Sequence, residues 1–313
     1  MDFQNNQGIS KNEAHELSAL SNTHIVELMI RANQVRHVFR GKQVNMCSIV
    51  SARTGGCTED CSFCAQSKVS SAEIQSHGLL DLEDIKKSAH SARELGAKRF
   101  CIVTSGRAVQ SKDIDKIEKM VEEVKAQGLL PCATLGFMDY PTLVRLKEAG
   151  LHRYHHNLET SEGFFSQICT THSYYDKVRT IEAAQKAGLS VCSGGIFGLG
   201  ESWEDRIEMA FALKFLQVDS IPLNFLTPIS GTPLGFLDPL PPLEALKIIA
   251  IYRLILPDKE IRICGGRPDT FGQLNSFIFW AGADGILIGN YLTTTGREPS
   301  EDKELIHDLG LTI

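Results

Sequence analysis

The sequence predicts an α/β fold, a (β/α)₈ TIM-type barrel with an N-terminal helical extension. From about residue 43 onward, short β-branched or apolar runs alternate with longer amphipathic runs, which is typical of a parallel sheet built from βα units. Eight such units fit a closed barrel better than an open doubly wound sheet. The 313 residues, 42% hydrophobic and 22% charged, are sufficient for one large core.

The elements follow in a regular order. Strands are predicted near residues 44–50, 99–104, 129–135, 152–158, 189–194, 220–226, 260–264 and 285–289. Helices are predicted near residues 82–95, 112–127, 140–149, 174–187, 202–216, 242–256, 268–281 and 300–309. This division gives a helical extension over 1–40, a barrel over 41–290, and a C-terminal loop with a closing helix over 291–313.

Local signals at the helix ends support these boundaries. Ser111 and Ser202 precede helical runs, where a hydroxyl can cap the first free amides. Glycines stand just beyond four predicted helices, at Gly96, Gly128, Gly150 and Gly188. Glycine is favoured there because the chain often turns through a left-handed conformation.

Composition and charge exclude two classes of partner. The net charge is −6 and there is no Lys/Arg-rich run, which argues against nucleic-acid binding. No stretch approaches the ~18 apolar residues that a membrane span requires.

The N-terminal sequence lacks the pattern of a secretory signal, so we expect a cytoplasmic location with reduced thiols. The nine cysteines then indicate metal ligands or small buried side chains rather than disulfides.

Three cysteines lie close together after the first predicted strand. In RTGGCTEDCSFCAQS, Cys57, Cys61 and Cys64 have the spacing C-x₃-C-x₂-C. Three thiolates can bind three irons of a cubane cluster, which leaves the fourth iron free to chelate S-adenosylmethionine. The alternative is a structural zinc loop, but such loops normally have a fourth Cys or His at matching spacing.

Other cysteines occur within predicted strands. Cys101, Cys132 and Cys192 belong to three different strands, and Cys264 lies two residues after Arg262 on another. Side chains two residues apart share a face of a strand, so these thiols can line one lumen and hold a second iron–sulfur cluster. The alternative is ordinary core packing. Cys47 and Cys169 have no partner at a suggestive spacing and are predicted to be structural.

The chain resembles the biotin synthase family of radical S-adenosylmethionine enzymes over nearly all of its length. The triad alone would indicate only the superfamily. The matching segments are GGCTEDCSFCAQS, RFCIVTSG, PCATLG, YHHNLETS, VCSGGIFGLGES, PLNFLTPISGTPL, IRICGGR and AGADGILIGNYLTT.

The resemblance implies a role for each matching position. Cys57, Cys61 and Cys64 would bind the 4Fe–4S cluster that cleaves S-adenosylmethionine. The auxiliary cluster, 2Fe–2S in the familiar enzymes, would be bound by Cys101, Cys132, Cys192 and Arg262. Asn157 and Glu159 match positions that bind cofactor ribose and substrate, and Asn224 matches one that faces the ureido ring. Gly195, Ile196 and Gly198 match the turn that contacts adenine.

Three positions depart from the family pattern. His155 stands where Asn is common, Glu159 where Asp is common, and Cys264 where a small non-ligating residue is usual. Arginine is a poor iron ligand because its pKa lies above ~12, whereas a thiolate binds iron readily. Cys264 is therefore an alternative to Arg262 as the fourth ligand, and a four-iron cluster is the alternative to 2Fe–2S at the auxiliary site.

The resemblance also implies a reaction and its partners. A flavodoxin- or ferredoxin-type donor would reduce the first cluster, and sulfur from the auxiliary cluster would be inserted into dethiobiotin. A homodimer is expected. The alternatives are a hydrogenase-maturase-like or methylornithine-synthase-like radical enzyme, or an iron–sulfur carrier without catalytic activity.

Overall fold

The computed structural model describes residues 7–290 and 296–313. The strands are β1 Asn45–Arg53, β2 Arg99–Thr104, β3 Leu130–Thr134, β4 Arg153–His155, β5 Ser190–Cys192, β6 Gly195–Phe197, β7 Ser220–Phe225, β8 Glu260–Ile263 and β9 Gly285–Leu287. The first helices are α1 Lys11–Ser18, α2 Ile25–Arg40, α3 Leu82–Glu94, α4 Ile114–Ala126, α5 Tyr140–Glu148 and α6 Glu162–Ile168. The others are α7 Tyr174–Lys186, α8 Trp203–Phe215, α9 Pro242–Ile255, α10 Arg267–Phe271, α11 Phe277–Trp280 and α12 Pro299–Asp308.

All the strands are parallel and form a closed ring. The sheet order is β5-β4-β3-β2-β1-β9-β8-β7-β6, and β5 also pairs with β7. Because β5 and β6 both lie against β7, they occupy one position in the ring. The ring therefore has eight positions, which confirms the predicted barrel.

The fifth position is interrupted for a steric reason. The strand predicted over 189–194 ends at Cys192, and β6 begins at Gly195. A Cβ on Gly194 would lie 2.0 Å from the carbonyl oxygen of Pro222, so only glycine allows this close approach to β7. The register with β7 is the same on both sides of the break, because Cys192 pairs with Ser220 and Gly195 pairs with Leu223.

The helices cover the outside of the ring. The N-terminal α1 and α2 pack against α8 and α9. Residues 291–295, at the start of the predicted C-terminal loop, and residues 1–6 of the extension lie outside the described residues. The closing helix α12 is attached to α10 by a bidentate pair between Arg267 and Asp302, with an Nη1–Oδ1 distance of 2.9 Å.

The helix signals were mostly confirmed. Ser202 caps α8 and accepts a hydrogen bond from the Asp205 amide. The four predicted C-terminal glycines all have positive φ. Ser111, in contrast, begins a 3₁₀ turn over Ser111–Asp113, and its side chain makes no cap hydrogen bond.

Two helix predictions were incorrect. The helix predicted over 268–281 is divided into α10, a 3₁₀ turn at Gly272–Leu274, and α11. Gly272 has a φ of 44°, a left-handed conformation that interrupts the helix. The short helix α6 was not predicted.

In the described part of the chain, no helix is long and apolar enough to cross a membrane.

Candidate active site

The barrel encloses a cavity of about 350 Å³ at the carboxyl ends of its strands. Active sites of (β/α)₈ enzymes occur at this end. The cavity is lined by many of the predicted site residues, namely Cys64, Cys101, Cys132, Asn157, Glu159, Cys192, Ile196, Asn224, Arg262 and Cys264. The structure thus brings most of the predicted site residues together.

The first cysteine group lies on the loop after β1, at the mouth of this cavity. Gly55 and Gly56 both have positive φ, which lets the chain turn sharply before Cys57. The Gly55 amide donates to Oε1 of Gln66 at 2.8 Å, and the Lys68 amide donates to the Glu59 carbonyl oxygen at 2.9 Å. The loop is therefore closed on itself around the three cysteines.

The three thiols of this loop are partly buried. Burial and the adjacent Cys57 both raise the pKa of the Cys64 thiol. Iron binding favours thiolates and would offset this effect. A half-buried loop with three soft donors fits the three-iron attachment of a cubane cluster.

The second cysteine group lines the inner wall. Cys101 and Cys132 are register partners on β2 and β3, while Cys192 lies on β5 and Cys264 follows β8. All four are at most 7% exposed. All four line the same cavity, and this sulfur-rich donor set fits an iron–sulfur cluster.

Buried charges close the floor of the lumen. Arg99, Arg153 and Glu260 are the first residues of β2, β4 and β8. Glu260 accepts a hydrogen bond from Arg153 at 2.9 Å and another from Nη2 of Arg262. Although burial opposes ionisation, Arg262 and Arg153 hold the pKa of Glu260 well below its usual value.

Arg262 lies between this floor and the thiols. Burial favours its neutral form, but Glu260 and the surrounding thiols hold its pKa above the usual value, so the guanidinium stays charged. Its Nε is buried and has no hydrogen-bond partner among the described residues. This unpaired N–H suits an acceptor such as a cluster sulfide better than it suits an iron.

His155 is a lumen residue whose role the sequence left open. It pairs in register with Cys192, and its Nε2 lies 2.9 Å from Oδ1 of Asn157. Burial would raise the pKa of Cys192, but His155, Arg262 and Arg153 together lower it to about 6. His155 therefore helps to keep this buried thiol ionised.

Asn157 and Glu159 form a polar patch above the inner cysteines. Asn157 donates to Oε2 of Glu159 at 3.3 Å and accepts from the Gly194 amide at 3.1 Å. Glu159 has a φ of 73°, which is uncommon for a side chain of this type. Lys177 lies 3.8 Å from its Oε1. Backbone strain of this kind is often found at functional sites.

The predicted adenine turn lies beside this patch. The Ile196 amide donates to the carbonyl oxygen of Glu159 at 2.9 Å. A Cβ on Gly195 would lie 2.4 Å from that same oxygen. The carboxylate of Glu201 accepts from the Gly198 and Leu199 amides at 3.0 and 2.7 Å. Gly195 thus permits the close contact, and Glu201 fixes the turn.

Asn224 on β7 joins β6 to the residues that follow β8. Its Nδ2 donates to the Gly195 carbonyl oxygen at 3.1 Å, and its Oδ1 accepts from the Gly265 amide at 2.9 Å. An amide group has two N–H bonds and two acceptor lone pairs. Asn224 can therefore hold the backbone and also offer a donor and an acceptor to a bound ring.

The structure gives partners to both cysteines that had been predicted to have none. Cys47 packs with Cys264 and Leu287 on the lumen wall. Cys169 lies 3.8 Å from Cys61, measured between the sulfurs, and 3.4 Å from Nδ1 of His172. The Cys-x₂-His spacing of Cys169 and His172 was a signal that could have indicated this group.

Comparisons with known proteins identify the family. Residues 52–213 match the Radical SAM superfamily, and residues 222–312 match the Biotin and Thiamin Synthesis associated domain. Biotin synthase of Thermodesulfovibrio yellowstonii is 52% identical over 94% of this chain and 93% of its own length. Biotin synthase of Geobacter sulfurreducens is 48% identical over 97% of this chain and 93% of its own length. The chain belongs to the biotin synthase family.

Membership of the biotin synthase family has direct consequences. The chain is a radical S-adenosylmethionine enzyme of the sulfurtransferase class, and a 4Fe–4S cluster and S-adenosylmethionine are the cofactors of that superfamily. A crystal structure of methylornithine synthase has a TM-score of 0.85 at 23% identity and covers 97% of this chain and 94% of its own. This likeness supports the barrel fold alone.

Proposed function

We propose that this protein inserts sulfur into dethiobiotin to form biotin, with two iron–sulfur clusters in one lumen. The observation that carries the proposal is the position of the buried thiols of Cys101, Cys132 and Cys192 directly below the loop that bears Cys57, Cys61 and Cys64. When bound, the outer cluster would supply the electron that cleaves S-adenosylmethionine, and the inner cluster would supply the sulfur. The barrel residues orient both small molecules and exclude water.

The outer site would be held by Cys57, Cys61 and Cys64. S-adenosylmethionine would then lie over Gly195, Ile196 and Gly198, with its ribose against Asn157 and Glu159. A carboxylate can accept hydrogen bonds from both ribose hydroxyls. Lys177 and Asn157, which contact Glu159, would keep that carboxylate in place.

Dethiobiotin would bind between the two clusters. Asn157 and Asn224 both line the cavity and can each offer a donor and an acceptor to the ureido ring. His155 lies two residues before Asn157. At the position of His155 the family commonly has Asn. Its hydrogen bond to Asn157 supports a role in orienting that amide.

For the inner site, we propose Cys264 rather than Arg262 as the fourth ligand, with a four-iron cluster. Arg262 is engaged by Glu260 and remains protonated, so it has no lone pair to donate. Cys264 is buried in the same lumen, and its sulfur can become a thiolate on metal binding. Arg262 would then donate its unpaired Nε–H to the cluster.

This ligand choice is tested by Cys264→Ser, with Cys47→Ser as a matched control on the same wall. We expect iron and sulfide analysis with Mössbauer spectra to show loss of the inner four-iron signal in Cys264→Ser and its retention in Cys47→Ser. A 2Fe–2S signal that is the same in wild type and Cys264→Ser would contradict the proposal. Loss of the inner signal only in Cys47→Ser would assign the ligand to Cys47 instead.

The function itself is tested by anaerobic turnover with dethiobiotin, S-adenosylmethionine and a low-potential reductant. Biotin and 5′-deoxyadenosine should be formed together. 5′-Deoxyadenosine without biotin would favour another radical enzyme of this fold, and neither product from cluster-loaded protein would favour a carrier. A flavodoxin- or ferredoxin-type donor, a homodimer and a cytoplasmic location remain predictions.

A further inference from the structure

A group of three metal-binding side chains lies on the outer side of the triad loop. It consists of Cys61, Cys169 and His172, and we call it the thiol–imidazole cluster. One ligand atom from each lies within 4.8 Å of the other two. Cys169 and the His172 side chain are at most 5% exposed, while Cys61 is half-buried.

The ligand atoms of this cluster are about as far apart as the ligands of a single tetrahedral ion. With Zn–S bonds of ~2.3 Å and Zn–N bonds of ~2.0–2.1 Å, the edges of the tetrahedron are about 3.8 Å between two sulfurs and about 3.6 Å between sulfur and nitrogen. The Cys61 and Cys169 sulfurs are 3.8 Å apart, and Nε2 of His172 is 3.7 Å from the Cys169 sulfur. The Cys169 sulfur is also 3.4 Å from Nδ1, so it faces the ring edge between the two nitrogens. The His172 or Cys169 side chain must therefore rotate for Nε2 to direct its lone pair at an ion shared with the two sulfurs.

A carboxylate already orients the imidazole for this role. Oε2 of Glu59 lies 2.5 Å from Nδ1 of His172, so Nδ1 carries the proton in this pair and Nε2 keeps its lone pair. Ligating histidines usually have such a carboxylate on the other ring nitrogen. The rings of Phe137 and Phe165 lie edge-on to His172 with centroid separations of 5.0 and 5.6 Å, and they restrict its rotation.

A fourth ligand is also within reach. Oδ1 of Asp60 lies 3.2 Å from the Cys169 sulfur and is held there by the amides of Thr170 and Thr171. The fourth position of a tetrahedral ion can be taken by this carboxylate or by water. Two sulfurs, an imidazole and one oxygen form a set that favours thiophilic divalent ions.

We propose that the cluster-free protein binds one thiophilic divalent ion, of the Zn²⁺ or Fe²⁺ class, through Cys61, Cys169 and His172. Cys61 is shared with the outer iron–sulfur site, so the single ion and the 4Fe–4S cluster exclude each other. This exclusion rests on the proposed function, whereas ion binding does not. Excess Zn²⁺ should therefore delay assembly of the outer cluster.

The test is a Co²⁺ titration of the full-length, cluster-free, reduced protein under anaerobic conditions. Tetrahedral thiolate-bound Co²⁺ gives a near-ultraviolet charge-transfer band and visible d–d bands, and Zn²⁺ should displace it. We expect Cys169→Ser and His172→Ala to weaken this binding at least about 10–100-fold, the range that loss of an outer-shell partner alone produces. Co²⁺ bound by the lumen thiols would be the same in wild type and in these variants, so the difference in Co²⁺ affinity reports on the thiol–imidazole cluster alone.

Cys57→Ser and Cys64→Ser are matched controls on the same loop and should retain the Co²⁺ signal. If these controls abolish the signal while Cys169→Ser retains it, the ion belongs to the triad and the proposal is wrong. Absence of any thiolate–Co²⁺ band in wild type would also overturn it. Near-ultraviolet circular dichroism checks folding. If Cys169→Ser does not fold, Cys169→Ala and Glu59→Gln are tested in its place. A variant of these two that folds and binds Co²⁺ as tightly as wild type would also contradict the proposal.

Discussion

Glu159 and Gly195 meet at one backbone contact, where Gly195 is required by the limited space and Glu159 has a strained conformation. Glu159 has positive φ, and Asp or Asn adopts that conformation more readily than Glu does. Its amide donates to the Gly194 carbonyl oxygen at 3.1 Å, which fixes the strained conformation. The motif match indicated that these residues share a site. It could not indicate the strain, because φ depends on contacts between residues far apart in the chain.

The same contact makes Gly195 sensitive to substitution. Gly195→Ala would place a Cβ 2.4 Å from the Glu159 carbonyl oxygen and 2.5 Å from the Met209 sulfur. We expect a loss of about 1–3 kcal/mol of unfolding free energy from overpacking, measured by denaturant unfolding, together with weaker S-adenosylmethionine binding.

Gly163→Ala is the matched control, since its Cβ would find no atom closer than 4.0 Å. Gly163 lies in α6, so alanine there should maintain or increase stability. Equal stability of Gly195→Ala and wild type would refute the steric argument.

At the scale of elements, the predicted alternation succeeded where an element is long and has end signals. α8 begins at a capping box in which Ser202 and Asp205 bond reciprocally, and that pattern is local in sequence. The division of the fifth strand into β5 and β6 depends on contact between Gly194 and Pro222, which are distant in the chain. α6 has only seven residues, and periodicity is not reliable over so short a segment.

The cap of α8 allows a measurement at this scale. Ser202→Ala removes the acceptor for the Asp205 amide, and we expect a loss of ~1 kcal/mol of unfolding free energy. Ser202→Thr retains an acceptor and should lose less. Thermal or denaturant unfolding of the cluster-free protein measures both, and equal effects would show that the hydroxyl cap contributes nothing.

For the whole molecule, the C-terminal helix is attached through a pair of fully buried charges. The side chains of Arg267 and Asp302 are both 0% exposed, and they join α10 after β8 to α12. The sequence predicted a closing helix but not what it contacts, because the Arg–Asp pair spans 35 positions. Long-range pairs of this kind leave no periodic pattern.

Asp302→Asn should therefore be costly. It leaves the buried Arg267 guanidinium without its carboxylate, and breaking such a pair typically costs about 3–5 kcal/mol of unfolding free energy. Glu301→Gln is the control. Its partner Arg297 lies 3.1 Å away in an exposed pair, where the contribution is about 0–1 kcal/mol. Similar denaturation midpoints for the two variants would contradict this assignment.

The buried charges of Arg99, Arg153 and Glu260 lie at the amino ends of their strands, at the end of the lumen away from its mouth. We expect groups to reach the inner thiols through the mouth of the cavity. A cluster on the inner thiols should therefore be inserted before S-adenosylmethionine and the substrate bind at the mouth. With the inner cluster as the proposed sulfur source, bound dethiobiotin would also obstruct the route by which that sulfur is replaced. Reassembly of the inner cluster and catalytic turnover should then occur at different times. Iron and sulfide added to enzyme that is saturated with substrate should restore little biotin-forming activity.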